Sequence, residues 1–150
     1  MRYAHSLRLT VFSYEYEDKD QILEAFLKFF PFSLEENKVV LKRTDAKGFK
    51  ENKIEILEAT LSRDSLTNQF LENLVKSLDK EQKSILLSQA ESRLDASLDF
   101  FLRFDKDEWI RKSQLLLTDS GKCFHLRISI AAFPKKREIA LKVIHDLFSR

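Results

Sequence analysis

Three clusters in this sequence carry residue types whose spacing could do chemistry. The first lies in DFFLRFDKDEW, Asp99 to Trp109. Leu98, Phe100, Leu102 and Phe104 alternate there with Asp99, Phe101, Arg103 and Asp105, the period-two pattern of a strand with two unlike faces. A solvent-facing row has no need of a phenylalanine between charges. Phe101 and Arg103 together have the means to stack a base and meet a phosphate. The second cluster is FPKKREIAL, where Lys135, Lys136 and Arg137 follow Pro134 and fall in the first turn of an expected helix. Cations there oppose the helix dipole, and three of them beside free backbone N–H groups can gather a phosphate. The third is the carboxylate group Asp105, Asp107 and Glu108. A calcium loop needs a ladder of ligands around a central glycine, which this stretch lacks, and Lys106 compensates its neighbours. It reads as a hairpin tip with Trp109 folded back on the core, and no metal site is expected.

Searches for other chemistry are negative. The chain has no phosphate-cradling G-x-x-x-x-G-K, no G-x-G-x-x-G, no H-E-x-x-H and no G-x-S-x-G. The single cysteine, Cys123, stands two residues from His125 without an orienting third group, so no catalytic pair is expected and no cofactor is implied. One cysteine excludes an intramolecular disulfide framework. A reducing, cytoplasmic setting fits, and no apolar run reaches the length of a membrane span.

These clusters need elements to hold them. HSLRLTVFSYEY alternates as a strand, with His5, Leu7, Leu9 and Val11 on the buried side and Arg8, Thr10, Phe12 and Tyr14 on the other. Asp18 and Gln21 form a capping-box pattern ahead of a helix that Pro31 stops. NKVVLKR and KIEILEATLS are expected to form a hairpin across the turn TDAKGFKEN. Leu66, Phe70, Leu71, Leu74, Val75 and Leu78 make one helical stripe. Asp79 and Gln82 restart a second helix bearing Ile85, Leu86, Ala90 and Leu94. The strand around Phe101 is expected to be followed by a fifth, SQLLLTDSGKC, and a sixth, FHLRISIAAF. In the sixth, Phe124, Leu126, Ile128 and Ile130 point inward and His125, Arg127 and Ser129 outward. The last helix carries Ile139, Ala140, Val143, Ile144, Leu147 and Phe148.

The expected fold is therefore α+β in the order βαββααβββα. It is a two-layer sandwich in one domain, residues 1–150: a mostly antiparallel sheet with helices on one face and the other face open. At 43% hydrophobic residues the chain can bury a core. Net charge is +2, but residues 76–150 carry 15 basic and 11 acidic side chains, and the last thirty carry seven and two. That basic C-terminal half is compatible with a polyanion. The open face would combine Arg8, Phe12, Phe101, Arg103 and Arg127, with Lys106, Lys135, Lys136 and Arg137 as further phosphate contacts. RNA is the partner such a surface fits, held by stacking and electrostatics without bond-making. The alternative is a homodimer or scaffold that buries Phe12 and Phe101.

Four stretches spanning nearly the whole chain also resemble a known family. LTVFSYEYEDKDQILEAFLKFFP is similar to its opening strand and Phe-Pro-terminated helix. KGFKENKIEILEATL is similar to its glycine turn and strand, LDFFLRFDKDEW to its hallmark strand, and CFHLRISIAAFP to its final strand. The family is the archaeal group of predicted RNA-binding proteins, also described as predicted exosome subunits. The resemblance implies a two-layer fold like that of a ribosomal protein that holds ribosomal RNA. It implies RNA or processing-complex subunits as partners, and no catalysis. Here Glu51 precedes Asn52 where the family carries a second glycine, and Asp107, Glu108 and Trp109 replace its small residues.

Overall fold

The computed structural model describes residues 2–48 and 52–150. Its elements are β1 (Ala4–Tyr14), α1 (Lys19–Leu27), β2 (Lys42–Lys47), β3 (Lys53–Leu61), α2 (Asp64–Ser77), α3 (Lys80–Ser88), α4 (Ala90–Arg93), β4 (Asp99–Asp105), α5 (Lys106–Lys112), β5 (Cys123–Ile130) and α6 (Arg137–Phe148). The strands form one sheet in the order β2-β3-β1-β5-β4, and each neighbouring pair is antiparallel. The protein is thus α+β, with its helices on one face of an antiparallel sheet.

Strand alternation builds the core. Leu7, Leu9 and Val11 of β1, Leu57, Ala59 and Leu61 of β3, Phe100, Leu102 and Phe104 of β4, and Phe124, Leu126 and Ile128 of β5 are all buried. The stripes of α2 and α6 close over them, and Phe148 meets Phe100 at 6.0 Å between ring centroids. Both expected caps form. Asp18 accepts from the backbone N–H of Asp20 and Gln21, and Asp79 from that of Gln82. Each satisfies amides that a helix start leaves without partners.

The structure corrects four expectations. The residues DKDEWIRK form no hairpin tip: they build α5, with Asp105 accepting from the Glu108 N–H at 2.9 Å. Acidic residues lead this helix and Arg111 and Lys112 end it, which suits the helix dipole. Trp109 does fold onto the core, where its indole N–H donates to the Ala25 carbonyl at 2.8 Å and its ring lies 4.6 Å from that of Phe29. The expected fifth strand shrinks to one bridge between Leu117 and Phe104. The Gln82 side chain accepts the Leu117 N–H, so that amide serves a helix rather than a ladder. His5 is exposed, because the β1–β5 register shifts between Ala4 and Ser6 and Ala4 takes the buried side. Finally, β2 starts at Lys42, while Val39 bonds back to Leu34 beside Lys38 at φ 56°. Strand residues extend to Lys47, and the expected turn at 44–52 falls partly on residues 49–51, outside the described residues.

Candidate nucleic-acid interface

The antiparallel register lines up the outward side chains in rows across the sheet. One row runs Phe101, Arg127, Arg8, Thr60 from β4 through β5 and β1 to β3. The next runs Arg103, His125, Thr10, Glu58, Lys42 and reaches β2. A third pairs Phe12 with Ile56 and Ile56 with Thr44. Five of the sequence-predicted residues, Arg8, Phe12, Phe101, Arg103 and Arg127, thus share one face, and no helix of the layer behind covers them. Phe12 and Phe101 are each 39% exposed on it.

Arg127 is the best-defined cation of this face. Its Nε lies 3.0 Å from Asp99 Oδ2, its Nη2 also meets that oxygen, and its guanidinium sits 5.8 Å from the centre of the Phe101 ring. The hydrogen bond to Asp99 raises its already high pKa, so it stays a cation throughout. Asp99 is buried and its own N–H is held by Asp95 Oδ1 at 2.9 Å. The same Asp95 oxygen accepts from the Ser97 N–H, and Leu98 completes the turn at φ 66°. Arg8 stands directly opposite Arg127 and, among the described residues, forms no ion pair. Asp99 balances Arg127, so Arg8 carries the uncompensated charge of the two.

A shallow groove of about 350 Å³ opens at this end, lined by Ser6, Arg8, Thr60, Ser97, Asp99 and Arg127 among others. A second, of about 340 Å³, shares Thr60 and continues toward Lys38, Lys42 and Arg63. Sequence reading missed these three cations, since they come from a loop, an edge strand and the N-cap of α2. At the opposite end of β1, Tyr14 and Tyr16 stack at 5.8 Å and 9°, with Tyr16 74% exposed and the Lys122 ammonium 5.8 Å from its ring. The alternation of SYEYE was the available signal for that pair.

Toward the β4 edge, burial lowers the pKa of His125, and the Arg103 charge lowers it further. Burial likewise depresses Arg93, whose guanidinium donates to the Phe101 carbonyl at 3.2 Å. Burial pushes the Cys123 thiol up, which disfavours the nucleophilic thiolate. Among the described residues, no group of three or more His, Cys, Asp or Glu side chains could hold a metal ion, and no helix is long and apolar enough to cross a membrane.

The remaining predicted contacts lie elsewhere. Lys106 is buried: its ammonium donates to the Phe12 carbonyl at 2.7 Å and pairs with Glu17 at 3.0 Å. With Glu17 Oε2 a third acceptor at 3.3 Å, its three hydrogens are all engaged and it serves the fold instead of a phosphate. Lys135, Lys136 and Arg137 precede or open α6 in the helical layer, not on the sheet face. The helix starts at Arg137, because the Lys136 N–H closes a turn on the Pro134 carbonyl. Arg137 donates to the carbonyls of Leu94 and Glu91, while Lys135 and Lys136 are exposed.

Known proteins resemble the chain in sequence and in fold. The chain is 29% identical over 143 residues to RNA-binding protein PAB1135 of Pyrococcus abyssi, covering 95% of this chain and 92% of that one. Among solved structures it is similar to protein AF2318 from Archaeglobus fulgidus, at 27% identity and a TM-score of 0.83, covering 96% of this chain and 99% of that one. It is also similar to Mth689 from Methanothermobacter thermautotrophicus, at 25% identity and a TM-score of 0.78, with 97% and 98% covered. Both structures are described as DUF54 proteins. A family described as RNA binding matches residues 6–130, most of the chain, and this protein belongs to that family.

Proposed function

We propose that this protein binds single-stranded RNA across the open face of its sheet and does so without making or breaking bonds. The observation that carries the reading is the row Phe101, Arg127, Arg8. Asp99 balances the charge of Arg127 and holds its guanidinium over the Phe101 ring, so Arg8 is the cation of this row left without an ion pair among the described residues. A phosphate on Arg8 supplies the missing anion through a charge-assisted hydrogen bond. A base stacked on Phe101 adds about 1–3 kcal/mol. Phe12, Arg103 and the groove cations Lys38, Lys42 and Arg63 extend the same surface. Lys135 and Lys136 contribute only through long-range attraction from the helical layer. The family and the named relative support RNA as the polyanion. RNA under processing or degradation, or ribosomal RNA, is the finer assignment that the family resemblance supports. Crosslinking in cells followed by sequencing of the bound RNA tests it: an enrichment of neither class removes it.

Fluorescence anisotropy with labelled single-stranded RNA tests the main reading. Affinity should fall linearly on a log–log plot against salt. Arg8→Ala should flatten that slope, and Phe101→Ala should weaken binding by about 1–3 kcal/mol at any salt. The RNA should remain intact on a denaturing gel after incubation. No measurable binding at low salt ends the proposal.

A further inference from the structure

Asp99 is out of place on a surface built for a polyanion. It is an acceptor-only carboxylate in the wall of the same groove that holds Arg8 and Arg127. A phosphate offers acceptors and is repelled by it. Its Oδ2 is occupied by Arg127, but Oδ1 accepts no hydrogen bond among the described residues. Around it stand hydroxyls: Ser129 lies opposite Asp99 in the ladder, and Ser97 is pinned beside it by the Asp95 turn. The groove therefore asks for a ligand that is anionic at one end and donates a hydrogen bond a few ångströms away. A ribose phosphate does both, through its phosphate and its 2′-hydroxyl. A deoxyribose phosphate does only the first.

Resting on the RNA-binding reading above, we infer that this groove is a sugar-reading site: Asp99 accepts the 2′-hydroxyl of one nucleotide whose phosphate lies on Arg8. The base of that nucleotide stacks on the Arg127 guanidinium that lies over the Phe101 ring. The 2′-hydroxyl is the group by which a protein separates RNA from DNA at a given position. A carboxylate accepting a ribose hydroxyl is a well-precedented pairing. Asp99 thus has two roles through two oxygens. Oδ2 holds Arg127 over the ring, and Oδ1 reads the sugar. The preference for RNA then resides at one end of the sheet, while the rest of the face is indifferent to the sugar.

The test uses three oligouridylates of about twelve nucleotides, within the range such surfaces cover. They differ only in the sugar: ribose, 2′-deoxyribose and 2′-O-methylribose. The methyl ether keeps the oxygen but cannot donate. The protein should bind the ribose form about tenfold more tightly than either of the others, the size of one hydrogen bond to a charged group. Asp99→Asn should retain binding and shrink that gap to less than about threefold. Asp99→Ser keeps a short acceptor for Arg127 but withdraws the second oxygen from the sugar and should also narrow it, which covers the case of an Asp99→Asn variant that fails to fold. Arg8→Ala should weaken all three ligands alike. Equal affinity for the three sugars overturns the site while leaving RNA binding standing. So does a gap that survives both substitutions, or one that the 2′-O-methyl oligomer does not share with the deoxy oligomer. Failure to bind any of the three removes the RNA-binding reading and the site with it.

Discussion

Lys106 shows what a single residue can conceal. In the sequence it is a cation in a charged run, and a charged run ordinarily faces water. In the fold it is buried with its ammonium between the Phe12 carbonyl and the Glu17 carboxylate, 5.1 Å from the Tyr14 ring. Glu17 also accepts the Tyr14 N–H at 3.0 Å, so one ion pair ties the end of β1 to the start of α5. Removing one partner of a buried pair leaves the other charge uncompensated. Lys106→Ala should therefore destabilise the protein by about 3–5 kcal/mol in urea unfolding. RNA affinity measured on the folded fraction should hardly change. A stable variant with much weaker RNA binding would return Lys106 to the interface. Its partner lies 89 positions earlier in the chain, and no local pattern announces a contact at that separation.

At the scale of elements, the strands with one apolar face were legible, and so were their outward residues. Arg8, Phe12, Phe101, Arg103 and Arg127 meet on one surface because strict alternation leaves little choice of face. The region from Asp105 to Cys123 was not legible. Its first half offered carboxylates in a row, and weighing them as a metal site or a hairpin tip hid their simpler use at the start of a helix. Its second half, Leu115 to Leu117, is apolar enough for a strand, but the Leu116 carbonyl accepts from Asp105 at the edge of β4 while the Leu117 N–H turns to Gln82. Asp105→Ala should cost about 1 kcal/mol as a lost cap. The loss should show in near-ultraviolet circular dichroism as a loosened Trp109, which α5 presses against Phe29. An unchanged melting temperature and tryptophan signal would show that packing alone holds α5. The groove cations Lys38, Lys42 and Arg63 were missed for a related reason. Lys38 lies in the loop before β2, Lys42 opens β2 and Arg63 stands at the N-cap of α2, positions where boundaries are hardest to place, and the β2–β3 pairing sets Lys42 opposite Glu58 beside Thr60.

At the scale of the whole molecule, the two sheet edges are treated differently. The outer edge of β4 is covered, since the Asp105 N–H bonds the Leu116 carbonyl and the Thr118 N–H bonds the Arg103 carbonyl. The outer edge of β2 is open but carries Lys42, Arg43, Asp45 and Lys47, which discourages edge-to-edge pairing. The unpaired guanidinium of Arg8 has a consequence for the molecule as a thermodynamic object. In the free state Arg8 stabilises the fold through no ion pair among the described residues, so screening it with salt should leave the melting temperature unchanged. In the complex, the same salt competes with the bound phosphates and should lower it, because the ligand's contribution to stability falls with its affinity. Melting curves recorded across a salt series with and without RNA should therefore converge, the free protein staying level as the complex falls. Arg8→Ala should make that fall shallower and leave the free protein's curve as it was. Two curves moving in parallel would mean that Arg8 takes no part in holding the strand, whereas converging curves make one unpaired cation the point at which the ionic environment sets how firmly this protein holds its strand.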